Sequence, residues 1–393
     1  MTGKSVYIVE ACRTPVGNLM GGLSSLSASN LGSSVVKELL RRSDLDPSII
    51  SEVIMGQVLT GGVGQNPARQ TVIESRLPHS VPAFTINKVC GSGLKAIALA
   101  YESIMMGNSE IVIAGGQESM SKAMHASYIR SGVKAGDIKF IDTMMYDGLT
   151  DVFSGKAMGV TAENIASRFN ITREEQDVFS LSSQEKASKA QSSGRFKEEI
   201  VPVIIAGRKE EITISNDEFI KPQTTLDTLS KLRPAFIENG TVTAGNASGI
   251  NDGAAAVVVV SENILKKYNL TPMARIVSYA RSGVDPDIMG IGPVSATKLA
   301  CVKAGWGLNN IDLFEINEAF AAQAAYVLRE LAVDEGKVNV NGGSIAIGHP
   351  IGASGARIAV TLLHEMVKSK AKTGVASLCI GGGMGISMAF EGV

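Results

Sequence analysis

The two ends of this chain read alike. The strand-like segment Ser5-Val6-Tyr7-Ile8-Val9 resembles Arg275-Ile276-Val277-Ser278-Tyr279, and Glu52-Val53-Ile54-Met55-Gly56 resembles Asp312-Leu313-Phe314-Glu315-Ile316. Ser92-Gly93-Leu94-Lys95 opens a helix-like run, and so does Ser354-Gly355-Ala356-Arg357. Ile111-Val112-Ile113-Ala114-Gly115-Gly116 echoes Ser377-Leu378-Cys379-Ile380-Gly381-Gly382. Four matches in one order, at an offset of about 260 to 270 residues, are most simply explained by duplication. Alternating strand and helix signals make each copy an α/β unit, giving two βα layers.

The 393 residues allow two or three domains at about 150 residues each. The middle segment, 121–250, carries charge more densely than its flanks, which reads as a more exposed, loop-rich excursion. The expected organisation is a first half at 1–120 plus 251–270, an inserted loop domain at 121–250, and a second half at 271–393. Ala254 to Val260 is continuously apolar and valine-rich, as a strand buried on both faces would be. Within the insert, Thr172 is an expected N-cap, with Glu175 as its capping-box partner.

Charge excludes some function classes. With 37 basic and 38 acidic residues there is no global field to attract nucleic acid or an anionic membrane. The longest apolar runs fall far short of the ~18 residues of a membrane span. Glu10 and Arg13 interrupt the N-terminal stretch where an export signal needs an apolar run. Cysteines at 12, 90, 301 and 379 form no CxxC, which points to a reducing, cytoplasmic location. The histidines at 79, 125, 349 and 364 have no zinc-ligand spacing, so no metal is expected.

The residues able to do chemistry sit at strand-to-helix turns. Cys90, in Asn87-Lys88-Val89-Cys90-Gly91-Ser92-Gly93, precedes a helix whose free N–H groups and dipole favour a thiolate. His349 lies in the glycine-rich run from Asn341 to Gly355, where an imidazole could act as a base toward a thiol. The duplication puts Gly352 where the first half has Cys90, so both loops could face one crevice. Cys379 ends an apolar strand before Gly381-Gly382-Gly383, a turn whose N–H groups could receive an oxyanion. Asn317, in Glu315-Ile316-Asn317-Glu318-Ala319-Phe320, reads either as an N-cap or as an amide that orients a water or the imidazole. Cys12 and Cys301 read as core.

Val89-Cys90-Gly91-Ser92-Gly93, Asn317-Glu318-Ala319-Phe320, Asn341-Gly342-Gly343 through Gly348-His349-Pro350-Ile351-Gly352, and Cys379-Ile380-Gly381-Gly382-Gly383 together resemble the thiolases, in particular their short-chain biosynthetic branch. The resemblance covers essentially the whole chain, from Arg13-Thr14-Pro15 onward. It implies duplicated βαβαβ halves packed as αβαβα layers around an inserted loop domain. It also implies reversible Claisen condensation of two acetyl-CoA to acetoacetyl-CoA and CoA. In that scheme Cys90 carries the acyl group, His349 shuttles its proton, and Cys379 exchanges the α-proton. His349 and a water held by Asn317 face one oxyanion, and the N–H groups of Cys90 and Gly381 face the other. Coenzyme A is then substrate and product rather than a resident cofactor.

By the same resemblance, the CoA site maps to Lys221, Thr228, Phe236, Ala244 and Ser248, with Leu149 and Met158 near the pantetheine and acyl ends. Lys221 and Thr228 stand where arginine and serine are common, and Ala157 stands where many short-chain members carry histidine. Segment 121–144 matches a tetramerisation excursion, implying a homotetramer built as a dimer of dimers. Three rival readings are a decarboxylating ketoacyl synthase, a non-catalytic acyl-CoA carrier, and a degradative thiolase of broader chain length. Cys379 in its glycine setting speaks against the first, and the complete set of reactive residues against the second. Met158 and Met289 would narrow the pocket against the third.

Overall fold

The structure, a computed structural model, describes residues 5–207 and 210–393. Its first half runs β1 (Val6–Arg13), α1 (Ala28–Ser43), β2 (Glu52–Gly56), α2 (Pro67–Glu74), β3 (Ala83–Ile86), α3 (Ser92–Met106) and β4 (Ile111–Ser119). The intervening segment carries α4 (Met158–Phe169) and α5 (Arg173–Ser192), then leads into β5 (Asn251–Ser261). The second half runs β6 (Ala274–Gly283), α6 (Gly292–Ala304), β7 (Leu313–Ile316), α7 (Ala321–Leu331), α8 (Ser354–Ser369), β8 (Thr373–Ile380) and β9 (Met384–Gly392).

The two halves share one strand plan. In the first, β5 pairs antiparallel with β1 and β4, while β2 pairs parallel with β4 and β3. In the second, β9 pairs antiparallel with β6 and β8, and β8 pairs parallel with β7. The place of β3 is taken by a single parallel bridge from Phe314 to Val338. The halves join edge to edge where Tyr7 pairs with Arg275 and Ile8 with Ala274.

Alternation along the strands builds the layers. On β5, Ala255, Val257 and Val259 face a central core with α3 and α8, while Ala254, Ala256, Val258 and Val260 face an outer core with α1 and α2. Helices cover both faces, which explains why this strand is apolar throughout rather than alternating. In the second half, Ala376, Leu378 and Ile380 of β8 face the same central core, and Val375 faces the outer core that includes α6 and α7. The order is helices, sheet, α3 with α8, sheet, helices.

The central helices cross at matched glycines. A Cβ on Gly93 would lie 2.6 Å from the Ala356 backbone nitrogen, and one on Gly355 would lie 2.5 Å from that of Leu94. These are the second residues of α3 and α8, the same place in the two Ser-Gly openings. Their missing side chains let the backbones touch and bring the Cys90 and His349 loops together.

In the insert, α5 starts as its sequence foretells. Thr172 Oγ1 accepts from the Glu175 N–H, and Glu175 Oε2 accepts from the Thr172 N–H. No helix among the described residues is long and apolar enough to cross a membrane.

Candidate active site

Cys90 is set by a strained turn at the start of α3. Val89 has φ of 47°, which a β-branched residue rarely adopts. Three hydrogen bonds hold it there. The Val89 N–H donates to Asn87 Oδ1 at 2.9 Å, Ser92 Oγ donates to the Val89 carbonyl at 2.6 Å, and the Lys88 N–H donates to Ser92 Oγ at 2.8 Å. Strain locked by surrounding bonds is characteristic of a functional site. It places the thiol at the mouth of the helix, close to the N–H groups of Gly381 and of Cys90 itself, which favour the charged sulfur.

The helix terminus does not outweigh burial at the Cys90 thiol, contrary to the sequence expectation. Burial pushes the Cys90 thiol up to about 11, outweighing the two N–H donors. Cys379 is wholly buried, and burial together with its neighbour Cys90 pushes it up further still. Its packing partners include Met158, Phe236, Met289 and Phe320, an apolar surround that favours the neutral thiol.

His349 follows Gly348, whose φ of 113° and contact with Asn251 leave no room for a side chain. The His349 N–H donates to Asn251 Oδ1 at 2.9 Å, which ties the loop to β5. The ring Nδ1 lies 2.6 Å from Ser354 Oγ, and that hydroxyl donates to the Pro350 carbonyl at 2.9 Å. With the serine proton given to Pro350, the ring proton sits on Nδ1 and Nε2 keeps its lone pair; with that proton given to Nδ1, the two nitrogens exchange roles. Nε2 is buried with no partner among the described residues. Burial, reinforced by the Arg357 charge, pushes the imidazole down to about 3, so it is a neutral base at neutral pH.

Asn317 is not an N-cap. Helix α7 begins later, at Ala321, and is preceded by Phe320. Instead Asn317 Oδ1 accepts from Ser344 Oγ at 2.7 Å, and Nδ2 is buried without a partner among the described residues.

Cys90, His349 and Gly381 line one cavity of about 380 Å³. Lys221, Phe236, Ala244, Ser248, Leu149 and Met158 line it too, as does Ala157. Cys379 lies behind its wall, within the cluster that contains the lining residues Met289 and Phe320. Thr228 lines an adjoining pocket that shares Phe219, Lys221 and Ala244 with the first. A long ligand could therefore run from Thr228 past Lys221 toward Cys90. Cys12 and Cys301 are buried away from this cavity.

Several positions escaped the sequence reading. Ser354 fixes the imidazole. Glu118 accepts from the N–H groups of Val58, Leu59 and Gly352, so one buried carboxylate ties the His349 loop to the first half. Burial pushes that carboxylate up to about 7 despite those donors. Met120, Met145 and Ile351 complete the apolar lining. Two had a sequence signal: Ser354 lies five residues after His349 at a helix start, and Ile351 lies within the His349 motif.

Residues 6–263 match the thiolase N-terminal domain and residues 270–392 the thiolase C-terminal domain. The chain belongs to the thiolase family. It is 58% identical to an acetyl-CoA acetyltransferase of Cupriavidus necator, over 98% of this chain and 99% of that one. It superposes on the crystal structure of a Bacillus anthracis acetyl-CoA acetyltransferase with a TM-score of 0.97 and 42% identity, covering 99% of each chain. It also superposes on human mitochondrial 3-ketoacyl-CoA thiolase in complex with CoA, with a TM-score of 0.95 and 44% identity, over 99% of this chain and 98% of that one. These full-length matches fit the thiolase fold and the duplicated α/β halves.

Proposed function

We propose that this thiolase is an acetyl-CoA acetyltransferase, condensing two acetyl-CoA reversibly to acetoacetyl-CoA and CoA through an acetyl-Cys90 intermediate. The observation that carries the reading is the meeting, in one cavity, of Cys90 and His349, whose Nε2 is buried without a partner among the described residues. In the first step Cys90 sulfur adds to the thioester carbonyl and its proton passes to His349 Nε2. The new C–S bond remains, the bond to CoA breaks, and His349 returns the proton to the departing CoA thiolate. The N–H groups of Cys90 and Gly381, which lie close to the sulfur, would receive the carbonyl oxygen.

In the second step the Cys379 thiolate takes an α-proton from the second acetyl-CoA. The carbanion attacks the acetyl carbonyl on Cys90, the C–C bond forms, and the Cys90–acyl bond breaks. The proton on Cys379 then returns to the Cys90 thiolate. Asn317 Nδ2, through a water, and His349 would hold the enolate oxygen of that acetyl group. No step requires a resident cofactor or metal, and coenzyme A enters and leaves as substrate.

Lys221, Thr228, Phe236, Ala244, Ser248, Leu149 and Met158 would hold CoA. Support comes from the run of adjoining pockets and from the CoA complex of the human relative. Segment 121–144 would mediate a homotetramer, since Tyr128, Ile129, Val133, Ile138 and Phe140 are exposed on one chain. A cytoplasmic location and a division at 1–120 plus 251–270, 121–250 and 271–393 complete the reading.

The direct test is acetoacetyl-CoA thiolysis by the wild type and Cys90→Ser, with 3-ketohexanoyl-CoA as competitor. Cleavage that collapses in the variant supports the reading, and its absence in folded wild type rejects it. Preference for the longer substrate would instead favour the broader degradative reading, to which the small Ala157 in the cavity wall would contribute space.

A further inference from the structure

Arg357 is a costly residue for the interior. It lies on α8 at 2% exposure, yet its Nε and Nη1 have no hydrogen-bond partner among the described residues. The nearest carboxylate oxygen, Glu315 Oε2, is 3.6 Å from Nη1, too far for a hydrogen bond, and is itself unpartnered. Buried guanidinium groups are normally clamped bidentately by a carboxylate, as Arg13 is here by Asp217. Stability alone gives little reason to keep a half-satisfied cation in the core.

The side-chain hydrogen bond Arg357 does make leads to Asn317. Nη2 donates to Ser344 Oγ at 3.2 Å, and Ser344 Oγ donates to Asn317 Oδ1 at 2.7 Å. All three side chains are buried. An arginine is only a donor, so Ser344 must accept from it and turn its single proton toward Asn317. That proton holds the amide oxygen of Asn317 inward. The amide nitrogen is left facing the other way, as a buried donor awaiting an oxygen. Rotating the amide would leave the serine proton without an acceptor in a buried setting, which is unfavourable.

We propose that Ser344 and Arg357 are positioning residues that fix the Asn317 amide with Nδ2 as the donor for the carbon–carbon bond-forming step. The proposal rests on the reading of Asn317 as part of the enolate-stabilising site. Arg357 acts through Ser344 and touches no substrate. Its weak compensation by Glu315 follows from the state of that carboxyl, which burial pushes up to about 8 so that it is largely protonated at neutral pH.

The two half-reactions separate this role from a structural one. Exchange of labelled CoA with acetyl-CoA reports acetylation of Cys90 alone, whereas acetoacetyl-CoA thiolysis also crosses the carbon–carbon step. Ser344→Ala is expected to lower thiolysis kcat about tenfold, with KM and exchange changed less than about twofold. Ser344→Thr, which restores the hydroxyl, should recover most of the loss, and Arg357→Lys should fall between. Ser344→Ala combined with Asn317→Ala should be no slower than Asn317→Ala alone. If Asn317→Ala is slow but Ser344→Ala is as fast as wild type, the relay is overturned while the role of Asn317 stands. If Asn317→Ala is itself at wild-type speed, both are overturned. Equal loss of exchange and thiolysis in Ser344→Ala, with a lower Tm, reduces Ser344 to a structural role and also overturns the relay.

Discussion

His349 Nδ1 lies 2.6 Å from Ser354 Oγ, whose own proton is committed to the Pro350 carbonyl at 2.9 Å. With that arrangement Nδ1 is the protonated nitrogen, so that Nε2 is the acceptor. Ser354→Ala removes the tautomer lock but little volume. The expected result is a fall in kcat of at least about tenfold, part of the ~10²–10⁴ that a positioned base supplies. Nitrogen NMR of the labelled imidazole should show the Nδ1–H tautomer in wild type and a mixture in the variant. An unchanged kcat would count against the assignment.

The pH dependence follows from the two thiols. Burial favours the neutral form of both, pushing Cys90 up to about 11 and Cys379 higher. In the proposed mechanism condensation and thiolysis pass through the same singly ionised pair of thiols, so they would share one acid limb. The group is an acid whose site pKa is raised, so the active form grows as pH rises. In both directions kcat/KM is expected to increase by up to about tenfold per pH unit across roughly pH 6 to 9. A flat profile over that range, or limbs that differ between directions, would contradict the assignment.

Much of this was legible because the decisive residues interrupt simple patterns. The strands of the two halves follow from apolar runs, and their duplication follows from the ordered matches that place β1 opposite β6 and β2 opposite β7. Cys90 and His349 stand out among glycines at helix starts, where only a shaped loop fits. What sequence could not give was orientation and surroundings. Asn317 reads equally well as an N-cap until Ser344 is brought to its amide oxygen by a loop 27 residues away. The thiol ionisation is not legible in sequence, because a helix terminus is visible there whereas the apolar burial opposing it comes from distant segments. Met120 looks like any core residue until the cavity is assembled.

The crossing of α3 and α8 gives a stability test. Gly93 and Gly355 each face the other helix's backbone at under 3 Å from where a Cβ would stand. Gly93→Ala and Gly355→Ala are each expected to destabilise by about 1–3 kcal/mol or more, because backbone rather than a flexible side chain must move. Thermal unfolding should show both with lowered Tm, while alanine at Gly61, where nothing lies within 4 Å, should leave it nearly unchanged. Equal Tm values for Gly93→Ala and wild type would mean that the helices are not in backbone contact.

Glu118 offers a further check on how the loops are held. Its carboxyl accepts three backbone N–H groups, one of them from Gly352 beside the His349 loop. Glu118→Ala leaves those donors buried and unpaired, so a loss of about 2–3 kcal/mol or more in stability is expected. Denaturant titration measures it directly. A midpoint equal to wild type would show that other acceptors replace the carboxylate.

The division of labour proposed for Cys90 and Cys379 is the central claim. It is tested by incubating Cys379→Ala with acetyl-CoA and locating the label by peptide mass mapping. The expected result is an acetyl group accumulating on Cys90, with no acetoacetyl-CoA formed and the label discharged by added CoA. Acetyl on another residue, or undiminished acetoacetyl-CoA formation without Cys379, would contradict it.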